Sequence, residues 1–309
     1  MDENIDYNAA CIAERLARVA GVEVKTREMI APYTSYKIGG PAAIWAAPGS
    51  EAGIGQVLAI AHEAGLPVFI LGRGSNLLVS DKGWPGLTLY LGDNISGWRF
   101  AGTEATVLAG SLLLDLIRAA VDRGLGGMEL MAGIPGGIGG ALRMNAGAFG
   151  QEIEQTTVEV QGYRMDGTSF EARRNEINFS YRRAPDLEQA VITTGRFRFN
   201  KADTGILRSR MDDVLALRAK KQPLDYPSCG SVFKRPPGYY AGALIEESGL
   251  KGQRIGGAMV SPKHAGFILN IDNAKADDVF ALICKIEDKV WQRFGVRLER
   301  EVKLIGKFA

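Results

Sequence analysis

Seven of the twenty residues in MAGIPGGIGGALRMNAGAFG (131–150) are glycine: Gly133, Gly136, Gly137, Gly139, Gly140, Gly147 and Gly150. Glycine loses more backbone entropy on folding than any other residue, so a cluster this dense needs a reason. Either the backbone must take positive φ, or it must approach a neighbour or ligand more closely than a Cβ allows. Main-chain N–H groups left bare in such a loop make a concave donor site for phosphate. Asn145 adds an amide and Arg143 a cation, while Ile134, Ile138, Ala141, Leu142 and Met144 can anchor the loop in a core. One glycine would read as a tight turn. Seven around Pro135 and Asn145 read as a phosphate cradle.

A second glycine turn, GRGSNLLVSDKGWPG (72–86), precedes it. Its G-x-G spacing invites a dinucleotide-fold reading, which requires a long helix to open at Ser75. Instead Asn76–Ser80 is short and β-like and runs into a turn at Asp81-Lys82-Gly83. The Rossmann fingerprint is therefore rejected, and a phosphate-binding turn with Ser75 and Asn76 as polar donors is kept. The plain alternative is a strand-to-strand turn. Two such turns in one α/β region point to a ligand with two phosphates, such as a flavin dinucleotide.

The rest of the chain bounds this reading. A length of 309 residues implies about two or three domains. Hydrophobic residues make up 46% and charged ones 23%, as in an ordinary globular protein. A net charge of +2 with no Lys/Arg-dense run argues against a broad nucleic-acid surface. The acidic opening MDENIDYNAA is unlike a secretory leader, and no run of 18 apolar residues exists to span a membrane. The three cysteines, Cys11, Cys229 and Cys284, form no C-x-x-C pair, which fits a reducing cytoplasm. With His62 and His264 the only histidines, a histidine-rich metal site is not expected.

Periodicity predicts a helix over 9–19, a buried strand ending at Pro48, a helix over 50–64 and a strand over 67–72, together a β-α-β unit. Strands follow over 88–110 and a helix over 112–124. Beyond the glycine loop come a hairpin turning at Asp166-Gly167, a Tyr/Arg-rich loop over 179–187 and a strand over 191–200. KADTG (201–205) reads as a linker, and 206–220 as a helix. The last hundred residues read as a separate α/β unit with helices over 241–249 and 277–294 and a closing strand over 298–306.

Seven segments then occur in one order: TSYKIGGPA (34–42), LGRGSNLLVSD (71–81), GIPGGIGGALRMNAGAFG (133–150), FSYRR (179–183), KQPLDYPSCGSVFKRP (221–236), LIEESGLKG (244–252) and LEREVKLIG (298–306). Together they resemble the bacterial UDP-N-acetylenolpyruvoylglucosamine reductases of peptidoglycan synthesis, in the shorter form of that family. The resemblance implies an α+β architecture: an FAD-binding fold of the p-cresol-methylhydroxylase/vanillyl-alcohol-oxidase type, with α/β subdomains at 1–86 and 87–203. A C-terminal α/β substrate-binding domain would follow at 204–309, its last strand able to pack back on the N-terminal part. It implies non-covalent FAD held by Gly72, Arg73, Gly74, Ser75, Asn76, Gly133, Ile134, Pro135, Gly136, Gly139, Gly140, Ala141 and Asn145, and NADPH as co-substrate. Partners would be the UDP-sugar and NADPH, with no nucleic acid or membrane, in a cytoplasmic monomer or weak oligomer.

The implied reaction sends hydride from flavin N5 to the enolpyruvyl β-carbon and leaves an enolate spread onto the carboxylate. That charge needs positive charge or hydrogen-bond donors, and the α-carbon needs a proton. By the resemblance Ser231 donates the proton, Arg182 stabilises the enolate, and Glu301 serves as a neutral acid, which requires a raised pKa. Tyr181, Lys221 and Lys234 would lie near the diphosphate and carboxylate of the UDP-sugar. Each has a plainer reading: Ser231 as a turn residue, Arg182 as a solvated charge, and one of Glu299 and Glu301 as a strand residue facing water. Arg183-Ala184-Pro185 departs from the family pattern after Arg182. Three rival functions stand beside this one. Cys229 suggests a cysteine hydrolase, but neither histidine lies in a recognisable dyad motif. A flavin oxidase of the same fold would usually tether its cofactor through His or Cys, and 72–80 and 131–150 contain neither. A non-catalytic nucleotide-binding module would not need Arg182, Ser231 and Glu301 together.

Overall fold

Ile54, Val57, Leu58 and Ala61 recur at helical spacing, and all four are buried on one face of the helix Glu51–Glu63. Ser50 caps it, its hydroxyl accepting from the Gly53 amide at 3.2 Å. In this computed structural model residues 3–308 are described; Met1 and Asp2 of the acidic opening, and Ala309, lie outside them. The chain divides into two units, each assembled from three stretches. The first comprises Met1–Arg27, Ala43–Arg73 and Gly86–Leu217; the second comprises Glu28–Ala42, Gly74–Pro85 and Arg218–Ala309.

In the first unit, one sheet runs in the order Val22–Met29, Pro41–Pro48, Trp84–Tyr90, Val68–Leu71. The expected β-α-β unit is thus opened: Trp84–Tyr90 stands between its two strands and pairs in parallel with Val68–Leu71. A second, antiparallel sheet runs in the order Ser169–Arg173, Thr157–Arg164, Ala190–Arg198, Glu104–Leu108, Trp98–Ala101. The expected hairpin turns at Gly167, φ 87, with the Asp166 carboxylate accepting from the Thr168 amide at 2.8 Å. The helix Leu113–Val121 buries Leu113, Leu116, Ile117, Ala120 and Val121 in the core beside this sheet. The supposed linker is already a helix start, because the Asp203 side chain accepts from the Ile206 amide at 2.9 Å and the helix runs Thr204–Lys221.

The core of the second unit gathers Tyr36, Ile38 and Leu78 from upstream with Val232, Phe233, Ile245, Ile283 and Ile286 from the C-terminal stretch. The long helix Ala276–Phe294 supplies much of it and ends at Gly295, which takes the left-handed φ of 65 that C′ positions favour. A three-stranded antiparallel sheet runs Arg254–Ile255, Ala258–Val260, Ile268–Asn270. The final strand, Lys303–Ile305, pairs in parallel with Leu77–Val79. Where a closing strand over 298–306 is expected, only 303–305 is regular. Among the described residues no helix is long and apolar enough to cross a membrane. Ser50→Ala should cost about 1 kcal/mol by loss of the cap; urea unfolding checks this, and an unchanged midpoint would show that the cap is not holding the helix.

Candidate active site

The glycine loop is less open than its composition suggests. Ile138–Arg143 is a short helix. The Ile138 amide donates to the Ser111 carbonyl at 3.0 Å, the Gly139 amide to Ala109 at 2.8 Å and the Ala141 amide to Gly137 at 3.0 Å. A Cβ on Gly139 would stand 2.9 Å from the Ala109 Cβ, and one on Gly137 would stand 2.9 Å from the Ala109 carbonyl oxygen. Gly139 is therefore glycine because two backbones pack closely, and its amide is committed to Ala109. Gly140 is different: it is exposed, and a Cβ there would meet no atom within 4 Å. Among the described residues, the amides of Gly136, Gly137 and Gly140 find no acceptor in the protein. Gly133 and Gly136 take φ of 79 and 122. Ile134 and Ala141 contribute shape, since their amides go to Met131 and Gly137, and Pro135 has no amide to give.

The first glycine turn meets this cradle within the first unit. A Cβ on Gly137 would lie 3.5 Å from the Arg73 Cγ. Arg73 does not offer its charge outward: Nε and Nη2 donate to the Gly110 carbonyl at 3.0 and 2.8 Å, and Nη1 pairs with Asp93. Gly72 is half-buried, with open space where a Cβ would stand. Open positions at Gly72 and Gly140 and three uncommitted amides suit the diphosphate of a dinucleotide. Arg143 is also internal. Its guanidinium donates to the Glu188 carbonyl, and burial pulls its pKa down.

The Asn145 side chain is engaged within the protein. It is fully buried, its Nδ2 donating to Glu152 at 2.9 Å and to the Ser180 carbonyl at 3.2 Å, while its Oδ1 accepts from the Glu154 amide at 3.4 Å. It thus holds the turn Ser180–Arg183, in which Ser180 and Arg183 exchange main-chain hydrogen bonds of 2.8 and 3.0 Å. Tyr181 and Arg182 form the tip. Arg182 takes φ 57, a left-handed conformation that costs a side-chain-bearing residue about 1–3 kcal/mol. Its Nη2 donates to the Gly147 carbonyl at 2.8 Å, and its guanidinium carbon lies 5.0 Å from the Tyr181 ring centre. The unusual Arg183-Ala184-Pro185 closes normally: Arg183 pairs with Glu188 at 2.8 Å, Ala184 is buried, and Pro185 opens a 3₁₀ turn.

The second unit holds the other expected residues. Gly74 takes φ 60, and a Cβ there would stand 2.2 Å from the Tyr33 carbonyl oxygen. No helix opens at Ser75; Leu77–Val79 is a strand. Ser231 is exposed, follows Gly230 at φ 80 and bridges to Phe267. Phe233 bridges antiparallel to Arg300, and the Lys234 amide donates to the Glu299 carbonyl at 2.8 Å. The amides of Glu301 and Val302 both reach the Val232 carbonyl, at 2.8 and 3.3 Å. Two residues opposite one make a bulge, which interrupts the alternation and re-aims side chains. Glu301 is half-buried there, whereas Glu299 faces water with its side chain 72% exposed. Arg300 anchors the segment, gripping Glu287 through two hydrogen bonds of 2.6 Å. Lys234 pairs with Glu299 at 2.5 Å, and Lys221 is exposed at the end of its helix.

Cys229 is buried against Tyr36, and its thiol is pushed up to about 12 by burial. A thiol held protonated is no nucleophile, which removes the hydrolase reading. Among the described residues no cluster of His, Cys, Asp and Glu could hold a metal ion.

Comparison with known proteins agrees with this geometry. The family profile "UDP-N-acetylenolpyruvoylglucosamine reductase, C-terminal domain" matches residues 222–305, and the profile "FAD binding domain" matches 42–172. The UDP-N-acetylenolpyruvoylglucosamine reductase of Latilactobacillus sakei is 44% identical over 93% of this chain and 94% of its own length. The chain belongs to the UDP-N-acetylenolpyruvoylglucosamine reductase family. The Listeria innocua reductase is 41% identical over 94% of this chain and 98% of its own. The crystal structure of UDP-N-acetylenolpyruvylglucosamine reductase from Thermus caldophilus superposes with a TM-score of 0.80 at 34% identity, covering 92% of this chain and 99% of that one. The protein is thus an FAD-dependent oxidoreductase with the expected α+β architecture, an FAD-binding fold followed by the reductase family's C-terminal domain.

Two contributors escaped the sequence reading, Ala109-Gly110 and Val232. Both act through main-chain carbonyls, which no side chain reports. Gly139→Val should destabilise the flavin-free protein by about 1–3 kcal/mol through overpacking against Ala109. Gly140→Val should leave the unfolding midpoint nearly unchanged but yield colourless protein. Thermal unfolding and flavin absorbance separate the two, and a fully yellow Gly140→Val would contradict the cradle. In the folded protein at pH 8, Cys11 and Cys284 should react with a thiol reagent and Cys229 only on unfolding; three rapid reactions would refute its burial.

Proposed function

We propose that this protein reduces the enolpyruvyl double bond of UDP-N-acetylglucosamine-enolpyruvate to give UDP-N-acetylmuramate, with NADPH as reductant, in cytoplasmic synthesis of peptidoglycan precursors. The observation that carries this reading is similarity running through both the FAD-binding region and the C-terminal domain, over 94% of the Latilactobacillus sakei reductase. When bound, FAD supplies the hydride, taken from NADPH, for the β-carbon of the substrate. Gly72, Gly133, Gly136 and Gly140 would hold its diphosphate by main-chain approach, with no covalent tether, because neither glycine turn contains His or Cys.

Addition of hydride to the β-carbon moves the double-bond electrons onto the α-carbon and its carboxylate. Arg182 balances that charge, its guanidinium held before substrate arrives by donation to the Gly147 carbonyl. Glu301, half-buried at the bulge, acts as a neutral acid toward the carboxylate. The Ser231 hydroxyl returns a proton to the α-carbon, completing addition of H⁻ and H⁺ across the bond. Tyr181, Lys221 and Lys234 bind the anionic groups of the UDP-sugar. Lys234 reaches them from its ion pair with the exposed carboxylate of Glu299.

Ser231→Ala separates the half-reactions. Flavin reduction by NADPH should proceed at nearly the normal rate, while reoxidation by the enolpyruvyl substrate slows about 10²–10⁴-fold. Stopped-flow flavin absorbance reads both steps. Equal slowing of the two would show that Ser231 positions the flavin or nicotinamide instead.

A further inference from the structure

The main chain of Glu301 is gripped on both sides within the second unit. Its N–H donates to the Val232 carbonyl at 2.8 Å. Its carbonyl accepts from the Asn76 side-chain Nδ2 at 3.1 Å. Two residues on, the Lys303 amide donates to the Asn76 carbonyl at 3.0 Å, opening the parallel ladder between Lys303–Ile305 and Leu77–Val79. In a parallel ladder of this register, the next rung toward Glu301 would come from the main-chain N–H of Asn76. The bond to Glu301 comes from its side-chain amide instead. The ladder is therefore extended by one rung that depends on residue type, at the residue where the segment leaves Leu77–Val79 for the Val232 bulge.

We propose that the side chain of Asn76 is a positioning group for Glu301. Its amide fixes the carbonyl side of the peptide that the bulge leaves irregular, and so fixes the direction in which the Glu301 carboxyl leaves the backbone. Alanine cannot make this bond, and aspartate at neutral pH has no proton to donate and repels the carbonyl. Arg300, gripping Glu287 at 2.6 Å, secures the preceding residue but leaves the Glu301 carbonyl to Asn76. The inference rests on the reading of Glu301 as the acid of the second half-reaction.

The test compares Asn76→Ala, Asn76→Asp, Glu301→Gln and the Asn76→Ala/Glu301→Gln double variant with the wild-type holoenzyme. Both Asn76 variants should purify yellow with full flavin and reduce normally with NADPH. Reoxidation by the enolpyruvyl substrate should slow about 10²-fold, the scale of a misplaced reacting group. In the double variant, Asn76→Ala should slow reoxidation less than threefold beyond Glu301→Gln, since a positioning residue has nothing left to position. Independently of turnover, amide hydrogen exchange at Glu301 and Val302 should speed at least tenfold in Asn76→Ala, with Ile305, a donor further along the ladder, unaffected. Loss of flavin, equal slowing of both half-reactions, additive effects in the double variant, or unchanged exchange would each overturn the role of Asn76. If Glu301→Gln reoxidises at the wild-type rate, the acid role of Glu301 fails and the positioning role falls with it, whereas an impaired Glu301→Gln beside a normal Asn76→Ala refutes the positioning role alone.

Discussion

The Gly139 amide meets the Ala109 carbonyl at 2.8 Å, so close that a Cβ on residue 139 would stand 2.9 Å from the Ala109 Cβ. Much of the first unit's site depends on this approach. Ala109 lies between the strand Glu104–Leu108 and the helix Leu113–Val121, and the neighbouring Gly110 carbonyl receives two hydrogen bonds from Arg73. One short stretch of backbone thus seats both glycine turns. The glycines then divide by role. Gly137 and Gly139 allow the approach, while a Cβ on Gly72 or Gly140 would enter open space.

Near this seat, three of the six positive-φ non-glycine residues among those described fall in the glycine loop and the turn that Asn145 holds. Asn145, Phe149 and Arg182 all take positive φ, although none is glycine. Such conformations persist only where surroundings over-determine them. Here Asn145 is fully buried and bonded to Glu152, Glu154 and Ser180, and Arg182 is tied to Gly147. In the second unit a bulge at Glu301-Val302 plays the corresponding part, secured by the ion pair of Arg300 with Glu287. In both units, polar side chains within the protein hold the backbone that carries the residues proposed to react.

That division explains what could be read from the chain alone. Helices such as Glu51–Glu63 and Ala276–Phe294 were legible because burial imposes a 3.6-residue period. Rejection of the Rossmann turn was legible because Leu77–Val79 is too short and β-like to open a helix at Ser75. The insertion of Trp84–Tyr90 between two earlier strands was not, since strand order is set by packing between distant segments. Arg73, Gly139 and Asn145 are placed at the flavin by the family resemblance, and the structure shows that each also has a partner within the protein. Arginine and asparagine suit main-chain carbonyls equally well, and a glycine that admits a ligand looks the same in sequence as one that admits a neighbouring strand. The choice of Glu301 over Glu299 came from the family resemblance. The structure adds a physical difference, one half-buried at a bulge and the other 72% exposed beside Lys234.

The most direct measurement follows the flavin spectrum of the purified protein under anaerobic conditions through one turnover. One equivalent of NADPH should bleach the flavin band. Subsequent addition of UDP-N-acetylglucosamine-enolpyruvate should restore it, with one equivalent of UDP-N-acetylmuramate formed. A flavin that bleaches and stays bleached in the presence of that substrate, or a protein that binds no flavin, would contradict the account.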